Sequence, residues 1–131
     1  ALAALRGRGV GIAVDETLQA HDPADVLEAD AADILVIKPM VLGGIDRARE
    51  TALKASERGI DTVVTTTIDA AVARTAAVHL AASLPSVRAC GFATAHMLED
   101  DLVADPVPVE DGRVRVPDGP GLAGDRFQDL V

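Results

Sequence analysis

Four short apolar runs each end in side chains that can do chemistry. Asp15 and Glu16 follow VGIAV (10–14), and Lys38 follows DILVI (33–37). Thr65, Thr66 and Thr67 close DTVVT (61–65), and Thr94 lies just beyond VRACG (87–91). A carboxylate, an amine and a row of hydroxyls brought to one place suit an anionic substrate beside a hard metal ion, and oxygen ligands favour Mg2+. Each position also has a plainer reading. Asp15 suits a helix cap or turn, Lys38 a solvated surface lysine, Glu16 a structural carboxylate, and the threonines β-branched strand formers.

The elements that must position these residues alternate. The apolar runs start near 10, 33, 61 and 87. Helical patterns lie between them. PADVLEAD (23–30) has Pro23 in its first turn and Asp22 as its cap. Residues 45–58 carry an apolar stripe of Ile45, Ala48, Ala52, Leu53 and Ala55, ended by Gly59. Residues 69–84 are opened by Asp69 and closed before Pro85. The spacing predicts parallel βα units, in which strand ends open on one face where such sheets place their sites. Runs that are apolar throughout predict strands covered on both faces. An open doubly wound sheet and an arc of a (β/α)8 barrel both fit, and no glycine-rich phosphate fingerprint follows the first run. PVPVEDGRVRVP (106–117) predicts a β-hairpin turning at Asp111–Gly112 and packing away from the sheet core. An irregular Pro- and Gly-rich end follows it.

The chain has 131 residues, enough for one domain at most. It is 49% hydrophobic and 25% charged, with mean hydropathy +0.25, which excludes a disordered tail. A net charge of -9 without a basic stripe argues against nucleic acid as a partner. The Asp-rich, Lys-poor composition suits high salt or GC-rich coding. No apolar run is long enough to cross a bilayer, so no membrane partner is expected. Cys90 is the single cysteine and forms no internal disulfide, which fits a reduced cytoplasm. ALAALRGRG at the start reads as the end of a helix entering a loop, not as a signal peptide, and suggests a piece of something larger.

The ordered words VDET, IKP followed by LGG, VVTTTID and ACGFAT resemble the enolase superfamily over residues 10–105. The likeness is greatest to its muconate-lactonizing-enzyme subgroup and, within that, to the o-succinylbenzoate synthases, whose words run roughly DES, IKP, SSSIES and CGL. The resemblance implies an α/β fold. Residues 1–105 would be the last four strands of a (β/α)7β, TIM-like barrel. Residues 106–131 would be a C-terminal hairpin and tail packed on a capping domain that this chain does not contain. It implies Asp15 as a Mg2+ ligand, Lys38 as the catalytic lysine of the sixth barrel strand, and Glu16 as a supporting partner of the ligands or of a lysine. Thr65, Thr66 and Thr67 would hold the distal carboxylate of a small anionic substrate. The implied reaction is a Mg2+-dependent dehydration through an enediolate in menaquinone synthesis. Cycloisomerase, N-succinylamino acid racemase and dipeptide epimerase activities of the same superfamily are the alternatives. The implied base and two further metal ligands do not occur among these residues, and threonines stand for serines and Asp69 for a glutamate. A non-catalytic half-barrel, with open edges favouring self-association into a homo-oligomer, is the reading from another class.

The remaining candidates read as structural. His79 lies within the second long helix, His21 in a loop, and His96 at a helix start. Cys90 reads as a small buried hydrophobe, and Asp100–Asp101 as a helix cap and not a metal pair.

Overall fold

The computed structural model describes residues 2–130. At its centre is a parallel sheet in the order β1 (Ala13–Val14), β2 (Ile34–Ile37), β3 (Asp61–Val64). Ala13 pairs with Ile34, Ile34 with Asp61, and Ile37 with Val64. A parallel bridge between Thr65 and Gly91 adds a fourth rung. The Arg88 N–H donates to Thr62 O (2.9 Å) and the Gly91 N–H to Val64 O (3.0 Å) beside it. Four parallel segments therefore follow one another in chain order, with helices between them, as in an arc of a barrel.

Two expected strands are shorter than their apolar runs. Before β1, the Asp33 carboxylate accepts the Ile12 N–H at 2.7 Å, so a side chain replaces a ladder bond. That carboxylate sits below its ordinary pKa, held there first by the Ile12 N–H and then by Arg6. The run at 87–91 is reduced to its single bridge. It has one β-branched residue, and Val87, Arg88 and Ala89 are exposed.

The helices are α1 (Thr17–Ala20), α2 (Pro23–Glu28), α3 (Pro39–Leu42), α4 (Ile45–Glu57) and α5 (Ala71–Ala82). Asp22 caps α2 by accepting the Ala24 N–H at 2.9 Å, with Pro23 in the first turn. Between α3 and α4, Gly43 (φ 88°) and Gly44 (φ 126°) occupy backbone conformations that side chains rarely adopt. The IKP word thus runs from strand directly into a helical turn. Asp69 does not open α5. The Asp101 carboxylate, 30 residues away in sequence, accepts the Ala71 N–H at 2.7 Å instead. Asp69 is turned back toward Thr67, so its carboxylate is unavailable as a cap.

Leu35, Ile37, Thr62 and Val64 alternate along β2 and β3 and are buried. They share the core with Ala48, Ala52 and Ala55 of α4 and Ala77 and Leu80 of α5. Ile34, Val36 and Val63, on the opposite face, are half-buried, and Ala13 is exposed. Coverage of both faces, expected from the unbroken apolar runs, is met on one face only among the described residues.

The hairpin forms as read: β4 (Val109–Glu110) pairs antiparallel with β5 (Arg113–Val114). Asp111 (φ 49°) and Gly112 (φ 72°) supply the two left-handed residues of a tight turn. Val107 is fully buried in the core cluster, and Val114 and Val116 pack against it. The His79 ring Nε2 lies 2.6 Å from Leu122 O, tying the tail to α5. The tail therefore packs on this chain's own core, contrary to the expected separation. No described helix is long and apolar enough to cross a membrane.

Candidate active site at the strand ends

In-register parallel pairing brings the carboxyl ends of the strands to one edge. Asp15 follows β1, Lys38 follows β2, and Thr65 follows β3, with its N–H donating to Ile37 O at 2.9 Å. Parallel pairing thus gathers chemistry-bearing residues that are 23 or more positions apart in sequence.

Lys38 is the centre of this group. Its Nζ lies 2.6 Å from Asp15 Oδ1 and 3.2 Å from Glu16 Oε1. The side chain is only 12% exposed, which excludes a solvated surface lysine. The Asp15 carboxylate holds the ammonium above its ordinary pKa; burial opposes this and Glu16 adds to it. Lys38 is therefore held as an ammonium between two carboxylates. Asp15 Oδ1 is buried and, despite the short ion pair, receives no aligned hydrogen bond. An under-coordinated carboxylate oxygen of this kind fits a hard divalent cation as one ligand. No three His, Cys, Asp or Glu side chains among the described residues are grouped so as to hold a metal ion, so Asp15 could supply only part of a coordination shell. Glu16, largely exposed, completes the lysine's pair of acids and accepts from Gln19 as well.

The threonines are brought to the same edge, but each hydroxyl has a protein partner. Thr65 donates to Gly91 O at 2.9 Å. Thr66 Oγ1 lies 2.9 Å from Thr94 Oγ1. Thr67 donates to Asp69 through both its hydroxyl and, at 3.2 Å, its N–H. Thr66 is buried while Thr67 is exposed. Arg74 is the participant that sequence reasoning missed, and Thr94, noted after the fourth run, was given no role. Thr94 had no signal beyond its place after the fourth run. Arg74 was visible as a lone charge within the apolar stretch AVARTAAVHL.

The residues read as structural differ in their burial. His21 and His96 are exposed, away from any polar partner seen for His79. Cys90 is half-buried, and burial pushes its thiol up from its ordinary pKa. Asp101 is a cap as read, but for α5.

Comparison with known proteins identifies the family and the fold. The profile of the family described as Enolase C-terminal domain-like matches residues 1–125. The o-succinylbenzoate synthase of Thermobifida fusca (strain YX) is 41% identical over 109 residues, covering 81% of this chain and 33% of that protein. The muconate lactonizing enzyme of Pseudomonas putida has the same fold over 92% of this chain and 35% of its own, with a TM-score of 0.83 at 23% identity. A dipeptide epimerase from Methylococcus capsulatus, solved with Mg and the dipeptide L-Arg-D-Lys, superposes with a TM-score of 0.78 at 34% identity. That match covers 92% of this chain and 34% of the epimerase. The chain spans about a third of the length of each of these relatives. It belongs to the enolase C-terminal domain-like family and forms part of that family's barrel.

Proposed function

We propose that these residues are the carboxyl-terminal barrel portion of an o-succinylbenzoate synthase-like lyase. The enzyme would dehydrate a small anionic carboxylate in the cytoplasm as a step of menaquinone synthesis. The observation that carries this reading is the Lys38 ammonium, largely enclosed and paired with Asp15 and Glu16 at the strand ends of a chain 41% identical over 109 residues to such a synthase.

Removing the proton beside a carboxylate builds negative charge on that group, and departure of a β-hydroxyl then completes the dehydration. A fixed cation facing the developing charge lowers the barrier, because it needs no reorganisation at the moment of reaction. Lys38 has that character. The base itself and two further carboxylate ligands would come from other parts of the enzyme. Asp15 would contribute one ligand to Mg2+, which when bound supplies charge stabilisation to the substrate carboxylate. Thr66 and Thr67, with neighbouring backbone N–H groups, would line the place of the distal carboxylate. Thr65 would support them through Gly91. The outer surface of the hairpin and tail would meet the capping domain.

The test is Lys38→Ala in the protein expressed from its full reading frame. Loss of one preorganised charge partner should lower turnover about a hundredfold or more with the fold unchanged by circular dichroism. Turnover within about threefold of the parent would overturn the role of Lys38. A second reading, epimerase or racemase activity, rests on the 34% identity to the dipeptide epimerase. Deuterium exchange into dipeptides or N-succinylamino acids, without dehydration of the synthase substrate, would favour it.

A further inference from the structure

α5 is rich in alanine, yet its fourth residue, Arg74, has no exposed surface at all. A buried guanidinium is costly unless paired, and an apolar residue of similar volume often serves stability as well. Arg74 Nη2 lies 2.8 Å from Asp101 Oδ2 and 3.0 Å from Asp105 Oδ1, and Nη1 donates to Asp69 O at 2.8 Å. Its Nε is buried without a partner, so the arrangement is not optimised for stability alone.

What the arrangement does is fix a loop. Asp69 O is held by Arg74, while the Asp69 carboxylate takes the Thr67 N–H and hydroxyl. Between them, Ile68 sits at φ 64°. A β-branched residue in the left-handed region is strained and persists only where its surroundings over-determine it. The stretch from the end of β3 to the start of α5 is also tied to the fourth rung and the segment after it at three further points. These are Thr65 to Gly91 O, Thr66 to Thr94, and the Ala71 N–H to Asp101.

We propose that Arg74 is a positioning residue. Anchored by Asp101 and Asp105, it locks the Thr66–Asp69 loop at the rim of the strand-end site, and so sets substrate affinity without touching substrate. This rests on the function proposed above. The loop follows Thr65, whose N–H donates to Ile37 O one residue before Lys38, but Arg74 has no contact with Lys38, Asp15 or Glu16 among its described partners, so its effect should fall on binding and not on the chemical step.

The experiment compares Arg74→Lys and Arg74→Met in the protein expressed from its full reading frame. Lysine keeps the charge between the two aspartates, which protects folding, but it lacks the planar fork that serves both aspartates and Asp69 O. Both variants should lower kcat/KM about tenfold or more, carried by KM, with kcat within about threefold of the parent. The Thr67 amide should exchange hydrogen about tenfold faster in Arg74→Lys, while β2 amides keep their protection. An unchanged KM in folded Arg74→Lys, a loss carried by kcat alone, or an unchanged Thr67 exchange rate would each overturn the proposal. Should the parent protein fail to turn over the synthase substrate, the functional reading falls. The Thr67 exchange rate then decides by itself whether Arg74 holds the loop.

Discussion

Replacing Gly91 with alanine probes the one bridge that joins the fourth parallel segment to the sheet. A Cβ at position 91 would lie 2.6 Å from Thr65 Oγ1 and 3.2 Å from Thr65 Cβ. Gly91 is not in the left-handed region, so its backbone suits alanine and the cost is one of space. Thr65 cannot simply step aside, because its hydroxyl donates to Gly91 O. Rotating it away forfeits a hydrogen bond of about 0.5–1.5 kcal/mol. The remaining contact with Cβ adds the overpacking cost of about 1–3 kcal/mol. Gly91→Ala should therefore destabilise by about 2–4 kcal/mol. Thr65→Ala alone loses the hydrogen bond, at about 1 kcal/mol. In the double variant the 2.6 Å clash has no oxygen to act on, so adding Gly91→Ala should then cost about 1 kcal/mol or less. Urea denaturation of the parent, the two single variants and the double variant yields the coupling energy, expected at about 1–3 kcal/mol. A coupling below about 0.5 kcal/mol, or a Gly91→Ala variant as stable as the parent, would show that Thr65 and Gly91 are not packed as described.

Two further outcomes follow from individual side chains. Burial alone would raise the Asp101 pKa, but Arg74 and the N–H groups of Ala71 and Leu102 outweigh it and hold the carboxyl below its ordinary value of 3.8. A depressed carboxyl stabilises the fold above its ordinary pKa, and that contribution is lost as pH falls through the folded value. The stability difference between parent and Asp101→Asn should therefore be steady above roughly pH 4 and shrink toward lower pH; a difference constant down to roughly pH 2.5 contradicts the assignment. Asp22→Ala removes the cap of α2 and should cost about 1 kcal/mol by urea denaturation, whereas a change below about 0.3 kcal/mol would show that Asp22 does not cap it.

The sequence by itself determined the local elements and their order. The periodicity of Ile45, Ala48, Ala52 and Ala55, the Asp22–Pro23 start and the Asp111–Gly112 turn are each decided by neighbours within a few positions, and each appears where it was read. The spacing of the apolar runs also carried the parallel arrangement, since a parallel crossover needs a connection of about a dozen residues. Parallel strands open at one end, so Asp15, Lys38 and the threonines could be placed on a common edge before any contact was known. Tertiary structure alone decided how those side chains spend their bonding capacity. Whether Lys38 is solvated or clamped between two acids depends on strands 23 positions apart in sequence. Whether Asp69 or Asp101 caps α5 depends on a segment that returns to the helix start only after the fourth rung. Arg74 is the sharpest case. Charge argues for the surface, and only the convergence of Asp101, Asp105 and the Asp69 carbonyl makes a buried guanidinium tolerable. Hydrophobic patterning is local and repetitive and so survives in one dimension. Pairing of polar groups depends on which distant atoms arrive within about 3 Å, and that distance is set only when the chain has folded.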